Sequence, residues 1–212
     1  MILKIVRMIR FLGIEIGRNN MNKIICILAF GMLISGCVDV NLKTKLPVMN
    51  YYNLDKLEIK DEYDCGAYNF IAIASIEVPQ EYRNNKILYK EGSKITYSTN
   101  ASFIKNINES FESMMIKNFA QKCIKTIVPP LSGISIENFL RLKLLDFSIN
   151  KDKKEASVAM YYQIDSKGVL LQSGILTSSI YLDSIDDDTS ISALQESSIN
   201  IIEQLANKII PK

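Results

Sequence analysis

An uncharged, mostly apolar run, Ile24–Ile34, leads directly into Ser35, Gly36 and Cys37. Five cations and one acid precede Cys37, namely Lys4, Arg7, Arg10, Arg18, Lys23 and Glu15. A basic segment, a short apolar segment and small residues before a cleavage point are typical of a secretory signal peptide. The run has 11 residues, whereas a helix that spans a bilayer needs about 20 apolar residues. The sequence therefore predicts an exported chain whose folded part follows residue 36.

The segment Ile34-Ser35-Gly36-Cys37 has the form of a lipobox, where bacteria acylate a cysteine and cleave the chain before it. Small side chains at Ser35 and Gly36 let the extended chain enter a peptidase, and the thiol of Cys37 takes the lipid. We expect cleavage between Gly36 and Cys37, with palmitate and related acyl chains on Cys37 as the anchor. The alternative is an ordinary buried cysteine near the end of an apolar helix. It does not account for the order of apolar run, small pair and cysteine.

The predicted organisation is a signal peptide (residues 1–36), a lipidated tether (37–50) and a periplasmic domain (51–212). Met21-Asn22-Lys23 would itself begin a compact signal peptide, so residues 1–20 are open to being an over-long start. Removing the signal's five cations from 25 and its one acid from 23 leaves 20 Lys and Arg against 22 Asp and Glu. The mature chain is therefore slightly acidic, and it has no basic run with interleaved aromatic residues. Both features argue against a nucleic-acid partner.

Cys65 and Cys123 are the cysteines that remain once Cys26 leaves with the signal and Cys37 carries lipid. Two leftover cysteines often pair in an oxidising periplasm. Two separate buried thiols are an equally good interpretation, because sequence does not show whether the sulfur atoms approach bonding distance. Both interpretations stay open here.

Apolar patterns predict the strands. Tyr68–Val78 is apolar on both faces, which indicates a central strand, and Pro79 ends it. Residues 87–89 and 95–97 flank Glu91-Gly92-Ser93 and predict a hairpin with a glycine turn. Polar turns separate three further strands, which predict an antiparallel meander: Phe139–Ile149, Ala156–Ile164 and Val169–Leu182. Upstream, we expect the aromatic patch Tyr51–Leu54 and an exposed connection from Asp55 to Asp64.

Two helices complete the predicted fold. The first runs from Asn100 to about Cys123, capped by Asn100 or Ser102, with an apolar stripe made of Phe103, Ile107, Phe111, Met114, Met115 and Phe119. Its methionines are more typical of a core than of a cofactor site. The second runs from about Ser190 to Ile210. The order of elements predicts an α+β two-layer sandwich, a mainly antiparallel sheet with two long helices on one face.

The composition argues against catalysis, metals and cofactors. The sequence has no histidine, which removes Ser-His-Asp and Cys-His catalysis and the commonest zinc ligand. No glycine-rich loop opens a helix to hold phosphate. One dense acidic cluster is present, namely Asp183, Asp186, Asp187 and Asp188. It lacks the glycine and glutamate of a calcium loop, so the position before the last helix favours a cap. We expect no enzyme.

Several stretches resemble the ABC-type transport auxiliary lipoproteins of operons that encode MCE-domain (mammalian cell entry) proteins. Tyr51-Tyr52-Asn53-Leu54 follows the tether, where that family has an aromatic-x-Leu element. The other matching stretches are Ile76-Glu77-Val78-Pro79, Tyr82, Ile87-Leu88-Tyr89, Ile95-Thr96-Tyr97, Phe103–Phe119, Leu140-Arg141-Leu142 and Asp146-Phe147. The likeness covers nearly the whole mature chain through degenerate, apolar motifs. Family members commonly have a tryptophan where the long helix begins, and Phe103 stands nearest that place here.

The resemblance implies a non-enzymatic subunit of an intermembrane lipid transport system. Its partners would be an MCE-domain protein and an ABC permease and ATPase, with docking at the outer membrane. Val38 is compatible with that location, because an aspartate there is the usual inner-membrane retention signal of enteric bacteria; Asp39 lies one place later. Two other classes stay open. One is a structural or assembly lipoprotein, such as a pilus, flagellar or cell-wall-synthase accessory; the other is an apolar ligand-binding module. Homo-oligomerisation also stays open.

Overall fold

The structure is a computed structural model that describes residues 48–58, 63–130 and 136–210. These residues form one mainly antiparallel, open sheet of eight strands packed against two α-helices, so the predicted α+β class is confirmed. The strands are β1 (Asn50–Tyr52), β2 (Asn69–Glu77), β3 (Lys86–Glu91), β4 (Lys94–Phe103), β5 (Ile124–Ile127), β6 (Asn138–Asn150), β7 (Glu155–Ser166) and β8 (Val169–Tyr181). The helices are α1 (Ile107–Gln121) and α2 (Asp187–Ile209). The predicted signal peptide and most of the tether lie outside the described residues.

The meander β6-β7-β8 is the longest part of the sheet and is antiparallel throughout, as predicted. Along β7 the inward residues alternate with half-buried ones, and the inward set is Ala156, Val158, Met160, Tyr162 and Ile164. Strict alternation of this kind is what a strand with one buried face requires. Its turns use left-handed backbone at Lys154, Lys167 and Gly168.

On the edge opposite β7, strand β6 pairs with two other strands. Strand β2 pairs with Phe139–Lys143 in parallel, whereas β3 pairs with Ile149 and Asn150 at the far end, also in parallel. The hairpin β3-β4 follows the prediction around Gly92, with longer strands than the pattern indicated. Two short strands escaped prediction, because three or four residues are too few for a periodic pattern: β1 pairs with β4, and β5 with β2.

Helix α1 begins later than predicted. We expected its start at Asn100 or Ser102, but residues up to Phe103 continue β4, and Asn106 is the N-terminal cap residue. The reason is tertiary pairing: β1 bonds to this stretch, and Phe103 N donates to Asn85 O at 2.6 Å. Such pairing overrides local helical periodicity. From Ile107 onward the stripe is correct, with its large side chains buried.

An aromatic cluster around Phe147 joins the sheet to α1. The Phe147 ring makes edge contacts with Phe103, Phe111 and Tyr82, at centroid distances of 5.7, 6.1 and 6.5 Å. Edge-to-face rings of this spacing stabilise a core beyond simple burial. Met114 and Met115 are fully buried in the same core. The methionines are therefore packing residues, as the sequence indicated.

The connection after Tyr52 is less exposed than predicted. Leu54 and Asp55 are buried, and only Lys56 and Glu58 are exposed among the next three residues. Asp55 is buried because α1 supplies a cation to its carboxylate. A lone charge in sequence gives no sign of such a partner, which lies far along the chain.

Candidate functional site

The first described segment of the domain is fixed to α1 by a buried ion pair. Lys117 Nζ lies 2.7 Å from Asp55 Oδ2, and Ser113 Oγ donates to the same oxygen at 2.7 Å. Lys117 Nζ also donates to the carbonyl of Leu57 at 3.0 Å. The Asp55 side chain is 2% exposed and that of Lys117 20%. Buried charges need this degree of pairing to be tolerated. We call Asp55, Leu57, Ser113 and Lys117 together the entry lock.

Helix α2 holds the same segment from the other side. Gln195 Nε2 donates to the carbonyl of Asn53 at 2.7 Å, and the hydroxyl of Tyr52 donates to Asp188 Oδ1 at 2.6 Å. The hydrogen bond to Asp188 raises the pKa of Tyr52 above its usual value. The chain that continues from the predicted tether is thus bound to both helices within its first residues.

Within the acidic cluster, Asp186 caps α2, as predicted, whereas Asp187 and Asp188 lie in the first turn of the helix, which begins three residues before the predicted Ser190. Asp186 Oδ1 accepts from the backbone N–H of Thr189 at 2.9 Å, and Ser184 Oγ donates to Asp186 Oδ2. The bond from Ser184, followed by those from Thr189, lowers the pKa of Asp186 to about 2. Asp187 accepts from the hydroxyls of Tyr89 at 2.8 Å and Ser98 at 3.0 Å. Within residues 48–58, 63–130 and 136–210, no group of three His, Cys, Asp or Glu side chains is placed to hold a metal ion.

A further carboxylate site is Asp146, which the sequence pattern does not identify as a site. Its Oδ1 accepts from Lys90 Nζ at 2.7 Å, from Ser148 Oγ at 2.7 Å and from the Tyr82 hydroxyl at 3.2 Å. Burial raises the pKa of Tyr82. The carboxylate sits where the β6 ladder shifts register against β7. An acid beside buried Phe147 on a strand is the sequence signal that could have identified it. Its charge is matched by local donors, which favours a structural role.

A cleft of 440 Å³ opens where β2 ends beside the start of α1. Its lining includes the apolar residues Ile76, Val78 and Ile107 and the charged residues Glu77 and Arg83. Arg83 Nε donates to the carbonyl of Val78 at 2.9 Å, so part of the guanidinium is used by the turn itself. The space between the helices and the sheet is filled by fully buried side chains, including Phe111, Met115 and Phe119.

A disulfide bond joins Cys65, before β2, to Cys123, which follows α1. The two Cα atoms are 5.7 Å apart, within the usual range for this bond. Cys123 adopts a left-handed conformation (φ 58°), and its carbonyl accepts from Asn69 N at 3.1 Å. Of the two interpretations that the sequence leaves open, the structure has the disulfide. Gly36 and Cys37, the predicted cleavage and lipidation residues, lie outside the described residues.

The face of the sheet turned away from the helices carries apolar side chains along β8. Ile175 and Tyr181 are 61% and 64% exposed on this face, and Val169, Leu170 and Leu171 are exposed at the start of the strand, where its register shifts. In the next strand, Tyr161 stands opposite Ile175. In the described part of the chain, β8 pairs with β7 alone, so its second edge is free. A long apolar edge is a typical interaction surface.

No helix within the described ranges is both long and apolar enough to cross a membrane. No protein-family model matches the sequence, and no curated protein sequence matches it.

Two solved structures resemble the fold, and a third shows a weaker likeness. An uncharacterized protein is 12% identical with a TM-score of 0.64, covering 77% of this chain and 99% of its own. Protein XCC0632 from Xanthomonas campestris, of the family DUF330, is 10% identical with a TM-score of 0.63, covering 74% and 92%. A lipoprotein from Neisseria meningitidis is 8% identical, covering 66% and 99%, but its TM-score of 0.38 is too low to support an argument. At these identities the first two likenesses show a shared fold and no more.

Proposed function

We propose that this chain is a lipid-anchored, non-catalytic auxiliary subunit of an ABC- and MCE-type intermembrane lipid transport system. The observation that carries the anchored part is the sequence order of apolar run, Ser35, Gly36 and Cys37. The transport part rests on the family resemblance described above. The domain would face the periplasm from the outer membrane. Val38, directly after the lipidated cysteine, is compatible with that location.

The entry lock supports an anchored role physically. A tether of 13 residues, Val38–Asn50, reaches at most about 45 Å when extended. The described chain enters the domain at β1, and the ion pair between Asp55 and Lys117 joins the residues after it to α1. The domain would therefore stay near the lipid surface with a fixed point of attachment. There it could receive the end of a conduit built by an MCE-domain protein, but it could not cross the periplasm alone.

A non-catalytic role is supported by how the carboxylates are used. Asp55, Asp146 and Asp187 each accept hydrogen bonds from side chains of other elements. A general acid or base has to be free to exchange a proton with substrate. In the described residues these acids instead connect strands and helices.

The anchor is tested with labelled palmitate in cells. The wild type should incorporate label and lose residues 1–36, whereas Cys37→Ala should accumulate as an unlabelled precursor. Cys26→Ala is the matched control, because it removes a thiol from the apolar run and should process normally. Two or three acyl chains anchor stably, since each buried methylene contributes about 0.8 kcal/mol. Normal processing of Cys37→Ala, or an unlabelled wild type, contradicts the proposal.

The transport role is tested by genetics and by crosslinking in the intact envelope. Deletion of this gene should reproduce the phenotype of deleting a neighbouring MCE gene, and the lipoprotein should crosslink to the MCE-domain protein. The Cys37→Ala variant serves as the control for anchoring. Crosslinks only to cell-wall synthases or to pilus or flagellar components would support the structural or assembly class instead.

A further inference from the structure

The free edge of β8 lacks the charged residues and prolines that normally keep an edge strand from pairing with another strand. Its residues Val169–Tyr181 include no charged residue and no proline. Among the described strands of more than three residues, β8 alone has no charge. Exposed edges normally carry lysine, proline or other charges, because bare edges pair with further strands. We propose that this edge is covered by β8 of a second copy of the chain, antiparallel about a two-fold axis at Thr177.

The register follows from where β8 is regular. Ile164 pairs with Gln172 and Asp165 with Leu170, so Leu171 is an unpaired bulge residue and the regular strand begins at Gln172. The Thr177 carbonyl accepts from Gln204 Nε2 of α2 at 3.4 Å. It is therefore directed away from the β7 ladder. Every second residue shares this orientation in an antiparallel strand.

A two-fold axis at Thr177 uses the whole regular strand. Thr177 lies opposite its own copy, Ile175 opposite Ser179, and Ser173 opposite Tyr181. Five residues then exchange both backbone groups with the second copy, which gives about ten hydrogen bonds. A typical specific interface has about that number. The exposed Gln204 bond that this pairing replaces is long, so its loss costs little.

A second copy fits this edge in charge as well as in length. A strand with charged side chains would place them over the apolar surface of Ile175 and Tyr161, whereas a second β8 brings none. Pairing also extends the apolar strip, because Ile175 and Tyr161 of both copies then lie on one continuous face. Of the exposed apolar residues of β8, Ile175 and Tyr181 lie in the paired segment, opposite Ser179 and Ser173 of the second copy. This inference does not depend on the proposed transport role.

Symmetric cysteine trapping tests the axis directly in membranes that carry the full chain. Residues that exchange both backbone hydrogen bonds in an antiparallel pair have Cα atoms about 5.5 Å apart, which lies within the Cα–Cα range of a disulfide. Thr177→Cys should therefore form a covalent dimer on mild oxidation. Ser192→Cys, an exposed position on α2, is the control and should not. Equal trapping at both positions, or trapping of Thr177→Cys to a different envelope protein, overturns the proposal.

A charge on the edge should weaken the dimer without affecting the fold. Sedimentation of the detergent-solubilised full chain should show a dimer whose dissociation constant rises about tenfold or more in Ile175→Lys, because a lysine ammonium is then held over an apolar strip. Ile95→Lys, at a similarly exposed isoleucine of β4, should leave it unchanged. A wild type that stays monomeric, or an Ile175→Lys variant that dimerises like the wild type, overturns the inference.

Discussion

Replacing Lys117 by methionine removes the cation that faces the buried carboxylate of Asp55. The Asp55 side chain is 2% exposed, and its carboxylate also accepts hydrogen bonds from Ser113 Oγ at 2.7 Å and from the backbone N–H of Leu57 at 3.1 Å. Breaking a buried pair by deleting one partner costs about 3–5 kcal/mol. Because Lys117 itself is 20% exposed, water screens part of its charge. We therefore expect a loss at the lower end, about 3 kcal/mol in the free energy of unfolding.

The double variant Asp55→Leu/Lys117→Met tests why Lys117→Met loses stability. The cause is either the unpaired buried charge of Asp55 or the loss of a favourable ion pair. Apolar replacement of both partners is often neutral, so the double variant should recover most of the lost stability. Urea unfolding measures both changes, and the single variant's melting temperature should fall by roughly 6–12 °C. The reasoning is refuted if the double variant is as unstable as Lys117→Met alone, or if Lys117→Met unfolds like the wild type.

Three further predictions follow from the core, the disulfide and the helix cap. Phe111→Ala should cost about 3–5 kcal/mol in urea unfolding, because the side chain is fully buried and contacts Phe147; exposed Ile116→Ala should cost far less. Cys65→Ser should lower stability by about 4 kcal/mol, since the bond closes a loop with a sequence separation of 58; alkylation of unreduced, denatured wild type should find no free thiol at Cys65 or Cys123. The depressed pKa of Asp186, about 2 against 3.8 unfolded, stabilises the fold above about pH 4, and this stabilisation is lost as the pH falls through 2; Asp186→Asn should show a weaker acid dependence of its melting temperature, and an unchanged acid profile would contradict the assignment.

Sequence reasoning worked where one face of an element is buried over many residues. The strict alternation of β7 and the stripe from Ile107 to Phe119 are both direct results of such burial. It failed at Phe103, which is periodic with the helix but lies in β4, because pairing with β1 is decided by distant residues. The parallel pairings of β6 were missed for the same reason.

Among the candidate sites, the sequence predicts the helix cap at Asp186 but not the entry lock. Asp186 acts on residues three positions away, so its role is local and visible in the pattern. Asp55 meets Lys117, and Asp146 meets Lys90 and Tyr82, only after the chain has folded. The free edge of β8 is visible as a neutral strand, yet only the topology shows that it has no second neighbour.

The shared position of β6 sets the order in which an exported chain can fold. Strands β2 and β3 lie before Asn138 and pair with β5 and β4, and β6, which comes later in the chain, joins the two pairs. A chain that leaves the translocon amino end first therefore exposes one edge of β2 and one edge of β3 before β6 arrives. The meander that follows has local pairings and forms fast, while the non-local pairings form slowly. The amino-terminal strands therefore stay incompletely paired until β6 joins them. Pulsed hydrogen exchange should show the amides of β2 becoming protected later than those of β7.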